Sequence, residues 1–211
     1  MNANNHQAAS DFLANIDADW ARLISTVGAC SFAAKPAREP YETLIRSLAY
    51  QQLHAKAGDA IISRLLALHD ARFPAPQQLL ATEFDALRQC GFSARKIETL
   101  YAIAAGALSG LIPSWQAAQQ MTDEELIARL VTVKGIGRWT VEMLLMFSLQ
   151  RMDVLPAADF AIAAGYQRLK QLPLAPKPKQ MAEIAKLWCP HRTIASWYLW
   201  RVPKEIASNK L

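Results

Sequence analysis

The chain has 211 residues, 52% hydrophobic and 19% charged, a balance that supports a sizeable core and excludes global disorder. A net charge of +5 and a pI of about 9.2 suit a polyanionic partner without proving one. Cys30, Cys90 and Cys189 form no CxxC pair, which speaks against a zinc site or iron–sulfur cluster, and no apolar run or leader pattern marks a membrane span or signal peptide. The expectation is a soluble intracellular protein with reduced thiols.

Residues 1–10, polar and small, read as a frayed, disordered tail. Phe12, Ile16, Trp20, Leu23 and Val27 then repeat at helical spacing, with Ser10 as the cap. Ala33 to Pro40 contains two prolines and reads as a linker. Tyr41 to Leu53 is the next helix, with Leu44, Ile45, Leu48 and Ala49 on its apolar face. Lys56 to Leu68 follows almost at once, across Gln51-Gln52-Leu53-His54. A turn at Phe73-Pro74-Ala75-Pro76 leads to a helix with Leu79, Leu80, Phe84 and Leu87 as core positions. Gly91 closes that segment and Ser93 caps the next, which runs from Lys96 to Leu108. Arg95 and Lys96 read as surface charges or as a phosphate contact.

Thr122 starts a further helix, with Glu125 at capping-box spacing and Leu126, Ile127 and Leu130 on one face. Val133-Lys134-Gly135-Ile136-Gly137 then places two glycines two apart, before an apolar helix from Thr140 to Leu149. Beyond Asp159 a helix runs through Ile162, Tyr166 and Leu169. Pro173, Pro176 and Pro178 make a stiff connection, and a last helical region spans Met181 to Arg201. Strand alternation is absent, so the fold class is all-α.

Helix, glycine hairpin, helix is a phosphate-binding arrangement in elementary terms. Glycine permits positive φ and leaves room for another backbone to approach. The N-terminus of the second helix carries partial positive charge and exposed N–H groups. Such a grip carries no base information. Lys134 and Arg138 add charge attraction. The plain alternative is an αα-hairpin with a glycine cap. Asp159, just after Pro156-Ala157-Ala158, reads on its own as a helix-capping aspartate.

The run Val133-Lys134-Gly135-Ile136-Gly137-Arg138-Trp139-Thr140, followed twenty residues after Trp139 by Asp159 in a Leu-Pro-Ala-Ala-Asp context, resembles the helix–hairpin–helix DNA glycosylases. It is most similar to their alkylation-repair branch, the 3-methyladenine DNA glycosylases II. Residues 41–65 and the Gly91-Phe92-Ser93-x-Arg95-Lys96 string also resemble that family, so the likeness spans roughly 41 to 201. It implies a two-lobed helical domain over 11–211. Lobe one is about 41–150, with the hairpin at 122–149. Lobe two is about 11–40 plus 151–211, and the cleft between lobes holds the base. A β-rich N-terminal extension of some relatives is expected to be absent, since forty residues precede Tyr41.

The resemblance also assigns roles. Asp159 becomes the catalytic carboxylate, stabilising positive charge on the sugar and orienting water. Asp153 is the decoy, braced in its loop. Lys134, Gly135, Gly137, Arg138 and Thr140 form the DNA-binding hairpin. His54, Gln52 or Leu53 plugs the duplex where a nucleotide is turned out. Trp139, Tyr50, Trp188 and His191 surround the base, with Trp197 a further candidate wall that core packing explains better. The backbone carbonyls of Val131, Val133 and Ile136 hold a monovalent cation, and the chemistry requires no cofactor. Trp139 stands where bifunctional relatives carry a lysine, so the enzyme is expected to hydrolyse with water and not through a Schiff base. The expected activity is a monofunctional glycosylase releasing alkylated purines (3-methyladenine, 7-methylguanine) from damaged double-stranded DNA, as a monomer and away from membranes. The alternative is a non-catalytic helix–hairpin–helix module that binds DNA structure.

Overall fold

The computed structural model describes residues 3–33, 38–51 and 53–204. Their secondary structure is helical, with no strand among the described residues. In chain order the helices are α1 (Ala3–Ala14), α2 (Ala18–Val27), α3 (Pro40–Tyr50), α4 (Ala55–Ala67), α5 (Pro76–Ala81), α6 (Phe84–Cys90) and α7 (Ala94–Leu108). They continue with α8 (Trp115–Gln119), α9 (Asp123–Leu130), α10 (Arg138–Phe147), α11 (Phe160–Lys170), α12 (Pro178–Ile184), a 3₁₀ turn (Ala185–Trp188) and α13 (Arg192–Leu199). No helix among the described residues is long and apolar enough to cross a membrane. The chain divides into two compact units: Met1–Ala34 with Gln150–Leu211, and Lys35–Leu149.

The first unit joins the two ends of the chain. Its core contains Leu13, Trp20, Leu23, Leu169, Trp188 and Tyr198, each almost fully buried. The Trp20 and Trp188 rings meet edge to face at 5.4 Å. Residues 3–10, expected in a frayed tail, are instead the first turns of α1. Ala9 and Ser10 are buried, and Ser10 Oγ lies 2.9 Å from the Tyr198 hydroxyl, which donates to the Gly28 carbonyl. Small side chains dock this segment closely, and the buried hydroxyls satisfy one another. Ser10 is therefore an interior position and not a cap.

The expected single helix through Phe12 and Val27 is also two. Asp17 interrupts it, accepting from the Asp19 and Trp20 amides to cap α2. Burial alone would raise the Asp17 pKa, but the Lys170 ammonium at 2.6 Å and those amides hold it below the ordinary value.

The second unit contains α3 through α10. Leu44, Ile45, Leu100 and Leu144 have no solvent exposure. Each such side chain contributes about 1.5–3 kcal/mol on burial. Local signals set the helix ends. Thr122 and Glu125 form the capping box of α9. Gly91, at φ +104, closes α6, and Ser93 caps α7. Lys96 is not a loose surface charge: its Nζ donates to the Ala49 and Gln51 carbonyls at the end of α3. It thereby satisfies carbonyls that the helix leaves without partners. Burial pushes its pKa down.

Candidate active site

The hairpin between α9 and α10 belongs to the second unit. Gly135 sits at φ +85, and a Cβ there would lie 2.1 Å from Thr99 Oγ1 on α7. Glycine is therefore required twice, for backbone conformation and for close approach. Gly137 is different. Its φ is −98, a Cβ would meet nothing within 4 Å, and as N-cap of α10 it offers no side-chain oxygen to the first turn. The first turn of α10 therefore has no side-chain cap.

Lys134 Nζ lies 2.8 Å from Glu98, which holds the Glu98 carboxyl below its usual range. Arg138 pairs with Glu124 and, at 3.0 Å, with Glu142. Thr140, expected to face DNA, is 2% exposed, and its Oγ1 accepts from Gln51 Nε2 at 3.2 Å. Its side chain ties α10 to the end of α3, a correction to its expected role. The turn is also compatible with carbonyl ligation. The Val133 carbonyl accepts the Ile136 N–H, while those of Val131 and Ile136 accept from no described residue. Among the described residues there is no cluster of acidic, His or Cys side chains for a metal ion.

A cavity of about 440 Å³ opens in the same unit, lined by residues of α3, α4 and α10 together with Arg38. Trp139, Met143 and Phe147 recur every four residues, so one face of α10 supplies an apolar wall. Thr43, Ser47 and Tyr50, four and three residues apart, supply a wall of mixed polarity from α3. The volume lies within the range of small-molecule sites. Of the four expected pocket residues, this cavity unites Trp139 and Tyr50. The Tyr50 ring lies close against α4, because Gly58 has no Cβ: one there would fall 2.2 Å from the ring. The Tyr50 hydroxyl donates to Asp59, whose carboxylate, with burial, raises the phenol pKa and keeps its proton. Arg46 in the same cavity is paired with Glu42 at 2.7 Å and lies over the Phe73 ring.

Sequence reasoning passed over Asp59, which reads there as one more polar position of an amphipathic helix. Nearby, His54 is the N-cap of α4, its Nδ1 accepting from the Ala57 amide at 3.1 Å. That leaves Nε2 as the ring's N–H donor. Leu53 is 43% exposed, and Gln52 lies outside the described residues.

Asp159 belongs to the first unit, where it is the N-cap of α11. Its Oδ1 accepts from the Ile162 amide at 3.0 Å and from the Trp200 indole N–H at 3.2 Å. Asp153 is instead held bidentately by Arg192 at 2.7 and 2.8 Å. Burial would raise its pKa, but the guanidinium holds it below the ordinary value. It braces the loop that leads toward Asp159.

Two expected pocket residues do not join the cavity. Trp188 is 1% exposed, packed against Trp20 and Tyr166, and is core. A bulky aromatic preceded by Ala185 and Leu187 fits interior and pocket equally well in sequence, and burial decides. His191 packs edge to face on Phe12 at 5.0 Å. Trp197 is buried too, with Arg201 stacked 3.9 Å over its ring. Trp200, not singled out as a site residue in the sequence, reaches Asp159. The available signal was chemical: an indole N–H partly shielded from water seeks an acceptor.

Residues 45–191 match the family model described as HhH-GPD superfamily base excision DNA repair protein. DNA-3-methyladenine glycosylase 1 of Schizosaccharomyces pombe is 46% identical over 194 residues, covering 91% of this chain and 85% of that one. The alkylbase DNA glycosidase-like protein mag2 of the same organism is 34% identical, covering 95% of each. Among solved structures, the Schizosaccharomyces pombe 3-methyladenine DNA glycosylase (Mag1) in complex with abasic DNA aligns with a TM-score of 0.87. It is 45% identical, over 92% of this chain and 95% of that one.

Proposed function

This chain belongs to the HhH-GPD superfamily of base excision DNA repair proteins, and from that premise we infer that it is a DNA glycosylase of the 3-methyladenine type. It hydrolyses the N-glycosidic bond of alkylated purines in duplex DNA and leaves an abasic site. The observation that carries the mechanism is the carboxylate of Asp159, fixed at the start of α11 by two N–H donors.

Cleavage of the glycosidic bond builds positive charge on the deoxyribose, as in other glycoside hydrolyses. Asp159 stabilises that charge and orients the attacking water. Alkylation at N3 or N7 makes the purine cationic, so the base departs without a strong general acid. The aromatic faces of Trp139 and Tyr50 suit such a flat cation through stacking and cation–π attraction. Tyr50 offers its ring face, since its proton is committed to Asp59.

Trp139 cannot act as an amine nucleophile, so water and not a Schiff base completes the reaction. The hairpin grips a phosphate through the first turn of α10, helped by Lys134 and Arg138 once their acidic partners yield. Lys134, Gly135, Gly137 and Arg138 make that grip, and Thr140 supports it from inside. The carbonyls of Val131, Val133 and Ile136 would hold a monovalent cation against the same phosphate. Glycosylases of this family need no cofactor for their chemistry.

Leu53, exposed, and His54, with its Nε2–H, together with Gln52, fill the gap left by the extruded nucleotide. Minor-groove base edges present acceptors to such a donor. The protein acts as a monomer on duplex DNA.

A duplex carrying one 7-methylguanine tests the proposal. Base release followed by alkali-dependent strand cleavage is expected, and loss of both in Asp159→Asn. Full activity in that variant would overturn the assignment of Asp159.

A further inference from the structure

We propose that Trp200 is a positioning residue for the reaction, fixing the Asp159 carboxylate through its indole N–H, with Gly165 setting the distance at which it does so. The inference rests on the glycosylase reading and on Asp159 as its reacting carboxylate.

Two donors converge on one oxygen of Asp159. The Ile162 amide is local, the ordinary third-residue amide of an N-cap. The Trp200 N–H comes from another helix, 41 residues on, at the C-cap of α13. An N-cap bond alone leaves the carboxylate free to rock about its side-chain torsions. A second donor from a separate direction fixes its plane. Stabilising a developing cation needs a preorganised anion, so the orientation has catalytic value.

The helix packing explains how the indole reaches. Gly165, midway along α11, meets the backbone of Leu199, the residue just before Trp200. A Cβ at position 165 would lie 2.1 Å from the Leu199 carbonyl oxygen and 2.9 Å from its carbon. No side chain larger than hydrogen fits there. The φ of Gly165 is not in the positive region, so steric approach and not backbone freedom explains this glycine. Asp159 opens the same helix that Gly165 brings against Leu199. The contact therefore sets the register between donor and acceptor, within a unit whose surroundings, Ile162, Ile194 and Leu199, are fully buried.

The test replaces Trp200 alone by 3-benzothienylalanine, an isostere in which sulfur stands for the N–H, with Trp200→Phe beside it. Single-turnover release of 7-methylguanine from duplex DNA is measured, with affinity for a duplex carrying a tetrahydrofuran abasic analogue and with thermal unfolding. Loss of a hydrogen bond to a charged group predicts a rate reduced roughly ten- to a hundredfold. Affinity and unfolding temperature of the isostere should match the wild type. An isostere with wild-type rate overturns the proposal, as does an isostere whose slower release comes with a matching fall in unfolding temperature. Full activity of Asp159→Asn itself would instead overturn the underlying reading of Asp159, so the two failures are distinguishable.

Discussion

The two hairpin glycines should fail in opposite ways when a single methyl group is added. At Gly135 the φ of +85 costs a non-glycine residue about 1–2 kcal/mol. The new Cβ would stand 2.1 Å from Thr99 Oγ1 and 2.9 Å from Thr99 Cγ2, an overpacking that costs about 1–3 kcal/mol. Gly135→Ala should therefore lose about 2–5 kcal/mol of stability, a large share of a typical total of about 5–15. On a chain of this size the unfolding temperature should fall by roughly 5–15 °C. At Gly137 the φ of −98 suits alanine, and the Cβ meets nothing within 4 Å. Reduced entropy of the unfolded chain gains about 0.4–1 kcal/mol, and the poorer N-cap loses a similar amount. Gly137→Ala should fold like the wild type. Its methyl group nonetheless occupies the space over the first turn of α10 where a phosphate would approach, so duplex affinity should fall by roughly tenfold. Urea unfolding and fluorescence anisotropy on a labelled duplex read the two effects separately. Equal destabilisation of both variants, or wild-type affinity in Gly137→Ala, would refute the division of labour.

The ion pairs at the hairpin lead to a further expectation: Glu98→Gln releases Lys134 from its 2.8 Å partner and should tighten duplex binding several-fold, with a steeper salt dependence in a titration. The Asp153 pKa is depressed in the fold, so its pairing with Arg192 stabilises above the unfolded value of about 3.9 and is lost as pH falls through the folded one. Asp153→Asn should thus reduce stability at pH 7, by an amount that shrinks as pH falls through the acid range, as acid-range unfolding curves will tell. With Trp139 in the lysine position, borohydride added during turnover should trap no protein–DNA adduct; a shifted band on a denaturing gel would speak for a lyase.

What could be read from the chain in advance was whatever depends on neighbours in sequence. The capping box of Thr122 and Glu125, the left-handed Gly91 before Ser93, and the glycine hairpin all follow from local backbone chemistry. Asp159 is an N-cap for the same reason. Contacts between distant segments were not readable. Residues 3–10 look like a tail because their polarity is visible, whereas the Tyr198 hydroxyl that receives Ser10 is 188 residues away. Six tryptophans look alike in sequence. Only packing separates Trp188, sealed against Trp20, from Trp139 in a cavity wall and from Trp200 at Asp159. Lys96 resembles a surface charge until the end of α3 is seen to lie against it. Asp59 acquires meaning only through the Tyr50 hydroxyl that the missing side chain of Gly58 admits.

The most direct measurement is base release by the wild-type chain and by Asp159→Asn, followed by chromatography of the free purine from a duplex bearing one 7-methylguanine or 3-methyladenine. The wild type should liberate the methylated base and leave an uncut abasic strand, while the variant releases base no faster than DNA alone. Tight, salt-sensitive duplex binding with no base liberated from either lesion would contradict the enzymatic account and leave a DNA clamp.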